Sequence, residues 1–440
     1  ASLVKDEPLL EKKLPGSKII FTKNYPSINT REFRLENGVR VFLKPTKNKE
    51  KSFSFEATSM GGYSHANLTT LPSAKITEYL ISESSLGDFS RVELNNKVDP
   101  SFADVEVWIE PFKEGLKGEA ITKYTKELFE LIYLNFTSVS FNEIGFENVK
   151  SLLREKIKNE NLDPSRVFSK RINHAYYKNH PRKRPWNLDL VDQIELDKIN
   201  QFYMDRFADS SDFVFTFVGD FSIDEMKPYI EKYLGSLPSI NRKENYIDHN
   251  IRIENESKYI EIKQNSEEKS HNYRIYSHKF KNSVKNRFTL YILMDIVNRA
   301  LREEIRTKQN LVYSIYVDTF GIKHFPTQSY SLYITFQSDP KNNNLIFSEI
   351  DKILEKFKNA DFKKNYIDEA KLHAINNLNE NVQKNSFLAY AINSYLFENE
   401  SITTINNLNE VIQSISNYEI HKFSKKSFTD NFIQASLLPK

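Results

Sequence analysis

The sequence predicts an α+β fold made of two homologous domains, each a mostly antiparallel sheet with helices packed on one face. Three observations lead to this prediction. The 440 residues are 39% hydrophobic and 13% aromatic, which is enough for two large cores. Strand-like and helix-like apolar patterns alternate along the chain. A set of apolar residues that closes the first half recurs with the same spacing at the end of the second half.

The first elements follow a segment that the sequence predicts as a linker, residues 1–30, which proline and glycine interrupt. Residues 33–43 have the pattern of a strand, an Asn-Gly turn and a second strand. Residues 51–59 alternate as a third strand, which ends in a Gly-Gly loop. Residues 71–84 then have helical character, with an entry through Pro-Ser. The chain therefore opens with strands and continues into a helix.

Later segments continue the mixture of helices and strands. Residues 113–135 and 141–160 carry apolar positions at helical spacing, and residues 213–218 form a continuous apolar strand. Residues 286–309 predict an amphipathic helix with one apolar stripe, and residues 311–317 predict a strand directly after it. Each half of the chain thus contains both kinds of element.

The internal repeat defines the domain organisation. Two sets of apolar residues have identical internal spacing, so each member of the first set has its counterpart at one constant offset: Val191, Ile194, Ile199, Phe202 and Phe207, and then Ile412, Ile415, Ile420, Phe423 and Phe428. A polar stretch near residues 238–250 separates the two copies. The sequence therefore predicts one domain over residues 31–245 and a second, homologous domain over residues 246–440.

Composition excludes several classes of function. The 62 Lys and Arg residues nearly balance the 59 Asp and Glu residues, so we expect no nucleic-acid partner. The basic run at residues 182–186 predicts a solvated loop. The absence of Cys excludes disulfides and thiolate metal sites. No apolar run approaches the length of a transmembrane helix, and the charged residues 1–30 lack the apolar core of a signal peptide.

Three segments, in order, resemble the pitrilysin/insulinase family of zinc metallopeptidases. The first is LENGVRVFL at residues 35–43, which is similar to the hairpin that opens each half of a family member. The second is VGDF at residues 218–221, followed by YLGSLP at residues 233–238. The third is LREEIRTKQNLVY at residues 301–313. Together with the repeat, the resemblance extends over most of residues 31–440.

The resemblance implies half of a clamshell peptidase. A complete family member has four homologous domains in two bowl-shaped halves around a proteolytic chamber, and its first half carries a His-x-x-Glu-His zinc motif on a helix. Two His one turn apart can hold a zinc ion, and the Glu can take a proton from the zinc-bound water. This chain contains no such motif, so it resembles the C-terminal half, which binds no zinc.

The helix that would carry the motif is residues 71–84. When the family pattern is aligned with it, Lys75 and Tyr79 stand at the two His positions, and Glu78 alone matches. An ammonium group has no lone pair for a metal, and a phenol is a poor zinc ligand at neutral pH. These three residues are therefore vestigial zinc-motif positions. The scattered His residues offer no substitute, so we expect no metal in this chain.

Arg306 and Tyr313 match, residue by residue, an Arg and a Tyr of the family's second half. The resemblance implies that they hydrogen-bond the substrate backbone and help stabilise the transition state at a zinc held by the other half. The Arg fork offers several donors, and a Tyr hydroxyl can donate to an oxyanion. The alternative from the pattern alone is that Arg306 pairs with Glu303 or another carboxylate and that Tyr313 packs in a sheet.

The sequence thus predicts the substrate-binding half of a zinc endopeptidase that cleaves peptides in a closed chamber, with an extended peptide added to a sheet edge. This chain alone is expected to be inactive. The implied partners are a zinc-bearing N-terminal half or subunit and peptide substrates. The alternatives are a separate non-catalytic subunit and a scaffold of a peptidase-like complex. The sequence itself specifies no location; bacterial family members are often exported, so a periplasmic location is expected only by analogy with them.

Overall fold

The computed structural model describes residues 7–440, which divide into two compact units. Unit 1 comprises the residues up to Glu155, together with Trp186–His249 and Glu380–Asn406. Unit 2 comprises Lys156–Pro185, Asn250–Asn379 and Asn407–Lys440. Each unit therefore takes one segment from the opposite half of the sequence.

The strands of the described residues are, in chain order, β1 Ile19–Tyr25, β2 Thr30–Leu35, β3 Arg40–Pro45, β4 Ser52–Met60, β5 Ser85–Leu86, β6 Ala103–Ile109, β7 Lys113–Ile121, β8 Val139–Ser140, β9 Val214–Gly219, β10 Lys258–Asn265, β11 Ser270–Lys279, β12 Ser314–Lys323, β13 Ser329–Ser338 and β14 Ile433–Pro439. The α-helices are α1 Leu71–Ile81, α2 Arg91–Lys97, α3 Thr125–Thr137, α4 Glu143–Leu162, α5 Pro164–Tyr176, α6 Leu188–Asp192, α7 Leu196–Arg206, α8 Ile223–Lys232, α9 Val284–Leu301, α10 Asn343–Lys358, α11 Lys364–Asn381, α12 Asn385–Phe397, α13 Leu408–Gln413 and α14 Asn417–Ser427.

Unit 1 is built on a seven-stranded sheet with the order β1-β2-β3-β9-β4-β7-β6. Its neighbouring strands are antiparallel except for β3 and β9, which are parallel. Phe53 and Phe55 of β4 and Phe217 of β9 project towards α3, where Phe129 stacks on Phe217 with ring centres 5.2 Å apart. The β-branched and aromatic residues of these strands thus form one buried layer under the helices.

Unit 2 repeats the central part of this topology. Its five-stranded sheet has the order β10-β14-β11-β13-β12, and its one parallel pair is β10 with β14. This order corresponds strand for strand to β3-β9-β4-β7-β6 of unit 1. The helices repeat as well. The first residues of three helix pairs are separated by the same number of residues as the two sets of repeated apolar residues: α4 and α11, α5 and α12, and α7 and α14. The predicted α+β fold with two related sheet-and-helix domains is confirmed.

Each sheet also carries a helix on its second face. In unit 1 this helix is α12, whose buried Asn393 donates hydrogen bonds to the carbonyl oxygens of Glu56 (3.2 Å) and Val214 (3.1 Å). In unit 2 it is α5, where Phe168, Ile172 and Tyr176 pack on the sheet in one apolar cluster. These two helices lie in the segments that each unit takes from the opposite half of the sequence.

The segment predicted as a linker, residues 1–30, is partly wrong. Residues 1–6 lie outside the described residues, but Ile19–Tyr25 form β1, which pairs antiparallel with β2. This edge strand is exposed along most of its length, so its sequence lacks the apolar alternation that would identify it. The division into homologous domains at residues 245 and 246 stays a prediction, since the compact units exchange segments across that boundary.

Candidate substrate-binding site

Arg306 lies in unit 2, where α9 continues beyond Leu301 as a π-helical segment, Arg302–Lys308. The wider turns leave fewer regular backbone bonds, and π-helical segments are frequent at functional sites. Two residues after the end of this segment, Asn310 adopts a left-handed conformation with φ of 51°. The amide of Leu311 then donates to the carbonyl of Ile305 at 3.1 Å, which turns the chain back towards β12.

The Arg306 side chain is exposed and does not pair with Glu303. Glu303 instead accepts hydrogen bonds from Lys363 (2.7 Å) and from the hydroxyl of Tyr366, and it forms an ion pair with Lys308 (3.3 Å). The hydrogen bond from Lys363 is the largest of the contributions that lower the pKa of Glu303 to about 2. Among residues 7–440, no carboxylate pairs with the Arg306 guanidinium, so its donors remain available.

Tyr313 stands immediately before β12, and its side chain is 59% exposed. Its backbone amide donates to the carbonyl of Gln337 at 3.1 Å, which fixes the residue to the start of the β12–β13 pair. The Lys269 ammonium lies 4.4 Å from the centre of the Tyr313 ring, close enough for a cation–π contact. The backbone of Tyr313 is therefore fixed to the sheet, and Lys269 contacts one face of its ring.

The alternative in which Arg306 pairs with Glu303 and Tyr313 is packed in a sheet is not what the structure contains. The two residues lie on either side of the reversal at Asn310, and both side chains are exposed. Their proposed roles towards a substrate stay predictions.

The neighbouring edge of the unit 2 sheet is partly closed. β12 is an edge strand, and Asn298 of α9 accepts a hydrogen bond from the Val317 amide and donates one to the Val317 carbonyl, both at 2.8 Å. The side-chain amide thus occupies the backbone groups that a peptide strand would need at this position. A peptide cannot pair along the whole of β12 without displacing Asn298.

The three vestigial zinc-motif positions lie on α1 in unit 1. The Lys75 ammonium is 5.9 Å from the centre of the Tyr63 ring, and Tyr79 is 63% exposed. Glu78 accepts a long hydrogen bond, 3.4 Å, from the Ile109 amide of edge strand β6, and desolvation raises the pKa of its carboxyl. An ammonium, a phenol and one carboxyl do not fit a zinc ion. No group of three or more His, Asp or Glu side chains in residues 7–440 is placed to hold a metal.

Two contributors to this region were not predicted from the sequence. Lys269 lies in the turn between β10 and β11, and no motif links it to Tyr313. Asn298 is the counterpart of Glu78 in the other unit, since each bonds an amide of the edge strand beside its helix. The helix ends reveal this correspondence, because Glu78 and Asn298 stand equally far from the last residues of α1 and α9. The apolar repeat does not, since its offset places Arg299 opposite Glu78.

Comparison with known proteins identifies the class. Residues 193–373 match the profile described as "Peptidase M16 inactive domain". The chain is 22% identical over 340 residues to the probable zinc protease PqqL of Haemophilus influenzae, a match that covers 77% of this chain and 35% of that protein. No helix within residues 7–440 is long and apolar enough to cross a membrane.

Solved structures have the same fold. The periplasmic protease PqqL of Escherichia coli aligns with a TM-score of 0.87 and 16% identity, over 99% of this chain and 48% of that one. The separately solved first half of that PqqL aligns with a TM-score of 0.74 and 14% identity, over 98% of this chain and 94% of that one.

The fold matches that of the halves of M16 clamshell peptidases. Residues 193–373 carry the M16 inactive domain and the chain is homologous to the PqqL zinc proteases, which is consistent with the C-terminal half of a pitrilysin/insulinase family member. The chain spans about a third of the length of the curated relative that it matches, 35%.

Proposed function

We propose that this chain is the substrate-binding, metal-free half of a zinc-dependent endopeptidase, with the zinc held by an N-terminal half or a separate subunit. The observation that carries the proposal is that Arg306 and Tyr313, on either side of the chain reversal at Asn310, are both exposed, and that no carboxylate within residues 7–440 pairs with Arg306. Glu303 is engaged by Lys363 and Tyr366, so Arg306 keeps its donors, and Tyr313 is 59% exposed. An exposed Arg and Tyr are suited to bind peptide carbonyl oxygens and a developing oxyanion.

The comparison with PqqL supports the assignment to the C-terminal half. The alignment with the complete Escherichia coli chain covers 48% of it and has a TM-score of 0.87, whereas the first half of the same protein gives 0.74. The half that is more similar to this chain is therefore the second one. Lys75 and Tyr79, which cannot replace two His ligands, are consistent with that assignment.

The experiment is peptide hydrolysis by this chain assembled with the zinc-bearing half. We expect Arg306→Ala and Tyr313→Phe each to lower kcat/KM by about 10²–10³, the typical effect of removing one oxyanion donor. Arg302→Ala and Tyr316→Phe are matched controls, because both residues are exposed. Arg302 shares the π-helical segment of Arg306, and Tyr316 lies on β12, the strand that follows Tyr313. Their kcat/KM should stay within about threefold of wild type, since the resemblance implies no substrate contact for either residue.

Unchanged kcat/KM in both test variants would reject the substrate-binding role. It would favour the alternative of a non-catalytic subunit or scaffold, in which nothing requires an available Arg306. Loss of activity in the test and control variants alike would indicate a disturbed fold, and circular dichroism distinguishes that case.

We also propose that the complete protein acts in the periplasm. The support is the description of the structurally similar Escherichia coli protein as a periplasmic protease. Cell fractionation of the native host, with blotting for this chain, tests the location. Recovery with cytoplasmic markers would contradict it.

A further inference from the structure

We infer that unit 2 carries an oxyanion-binding site formed by Lys183, Lys323 and Tyr177. The ligand class is a carboxylate or phosphate group, supplied by an acidic residue of a peptide or by a free small anion. The inference does not rest on the proposed peptidase function, because none of these residues belongs to the Arg306 and Tyr313 region.

Both lysines converge on one aromatic ring. Lys323 is the last residue of β12, and its ammonium donates a hydrogen bond to the Tyr177 hydroxyl at 2.9 Å. The Lys323 nitrogen lies 4.3 Å from the centre of the Tyr177 ring, and the Lys183 nitrogen lies 4.5 Å from the same centre. Two positive charges therefore face a single phenol. The sequence predicted a solvated loop at residues 182–186, but Lys183 is partly buried here.

No counter-charge accompanies the two lysines. Within residues 7–440, no carboxylate forms an ion pair with Lys183 or Lys323. Burial lowers the pKa of Lys323 to about 7, and the charge of Lys183 acts in the same direction. Burial also lowers the pKa of Lys183. A partly buried cation without an anion is costly, so an anionic ligand would relieve a cost that the protein itself leaves uncompensated.

The ring contacts do not replace an anion. Cation–π contacts from Lys183 and Lys323 to Tyr177 are already present. A ring attracts a cation more weakly than a full negative charge does, so these contacts leave both ammonium groups without a counter-charge.

The donor set suits an oxyanion. The Tyr177 hydroxyl accepts the hydrogen bond of Lys323, so its own proton remains available to a ligand. Together with the two ammonium groups, this gives three donors, and charge-assisted bonds from such donors are the strong ones. The adjacent Tyr176 is anchored in the domain core. Its hydroxyl is 2.6 Å from that of Ser331, and its ring packs in the apolar cluster of α5. Lys183, Lys323 and Tyr177 are each partly exposed, so a ligand can reach them.

The test uses the full chain with ε-¹³C-labelled lysine, titrated by NMR and calorimetry. The probes are N-acetyl-aspartate amide, inorganic phosphate, a hexapeptide with one Asp, and the neutral control N-acetyl-asparagine amide. We expect at least one anionic probe to bind and to raise the apparent pKa of Lys323 by about one unit, as a nearby opposite charge does. The neutral control should leave the Lys323 signal unchanged.

Variants decide whether the site is the one inferred. Lys323→Met and Lys183→Met should each weaken binding of the anion at least about tenfold, and Tyr177→Phe should weaken it less, because it removes one neutral donor. Lys279→Met is the matched control, since Lys279 is exposed at the end of β11, which β13 separates from β12, and the variant should bind like wild type. Tighter binding of the hexapeptide than of inorganic phosphate identifies a peptide source, and the reverse identifies a free anion.

Two results would overturn the inference. One is that no anionic probe shifts the Lys323 signal. The other is that Lys183→Met and Lys323→Met, with unchanged thermal melting, bind the anion as wild type does. Failure of the proposed peptidase function would appear separately, as unchanged turnover in Arg306→Ala and Tyr313→Phe.

Discussion

At the scale of single residues, the availability of Arg306 depends on how its neighbours are paired. Glu303, one turn earlier, is a close carboxylate in sequence, and it already accepts bonds from Lys363 and Tyr366. Glu304 is likewise paired, with Lys308 at 2.6 Å. The guanidinium is consequently left to interact with something outside these residues, which is the property that a substrate-binding Arg needs.

Lys269 contributes to the same region through the ring of Tyr313. We expect Lys269→Met to lower kcat/KM of the assembled enzyme about two- to fivefold, because an exposed cation–π contact contributes about 0.5–1 kcal/mol. The measurement is steady-state hydrolysis of the peptide used for Tyr313→Phe. Lys263→Met on adjacent β10 is the control, and equal effects of the two substitutions would exclude a specific role of Lys269.

Glu56 provides a pH-dependent contribution to stability in unit 1. Burial raises its pKa to about 7, so between pH 4.5 and 7 the folded state binds more protons than the unfolded state. The free energy of unfolding should therefore fall as pH rises through this range. Urea unfolding at pH 5 and pH 7 measures this fall. We expect the free energy of unfolding of the wild type to fall by roughly 2 kcal/mol more than that of Glu56→Gln between the two pH values. If the free energy of unfolding changed equally with pH in the wild type and in Glu56→Gln, the role of Glu56 would be contradicted.

The residues of the candidate site could be predicted only in part from the sequence. Arg306, Tyr313 and the unsuitable Lys75 and Tyr79 follow from motif positions alone. The engagement of Glu303 by Lys363 and Tyr366 depends on partners that are distant in sequence, which no local pattern reveals. The convergence of Lys183 and Lys323 on Tyr177 is hidden for the same reason.

At the scale of elements, the edge of β12 is controlled by one side chain of α9. Asn298 bonds both backbone groups of Val317 at 2.8 Å and so stands where a further strand would pair. The predicted helix over residues 286–309 did not distinguish α9 from the π-helical segment after it, because apolar spacing alone does not report the hydrogen-bond pattern.

Removal of this side chain should free the edge. We expect Asn298→Ala to lower the free energy of unfolding by about 1–3 kcal/mol and to accelerate hydrogen exchange at the Val317 amide, since a partner of two backbone groups is lost. Asn298→Asp keeps the acceptor for the amide and should have an intermediate effect. Unchanged exchange at Val317 in Asn298→Ala would show that the side chain does not protect the edge.

At the scale of the whole molecule, duplication explains most of the architecture. The constant offset between the two sets of five apolar residues predicts the positions of α7 and α14 and, less directly, of α4, α5, α11 and α12. The assignment of α5 to unit 2 and of α12 to unit 1 could not be predicted. Both helices have apolar faces that would suit either sheet, and the sequence pattern does not specify which sheet a helix covers.

The central claim is that this chain contributes substrate binding to a zinc site that it does not contain. Reconstitution tests it most directly: hydrolysis of a quenched peptide is measured for the chain alone, for the zinc-bearing half alone and for the mixture, each with and without chelator. We expect no hydrolysis and no stoichiometric zinc in the chain alone, and chelator-sensitive hydrolysis in the mixture whose kcat/KM Arg306→Ala lowers by about 10²–10³. Chelator-sensitive hydrolysis by the chain alone would contradict it.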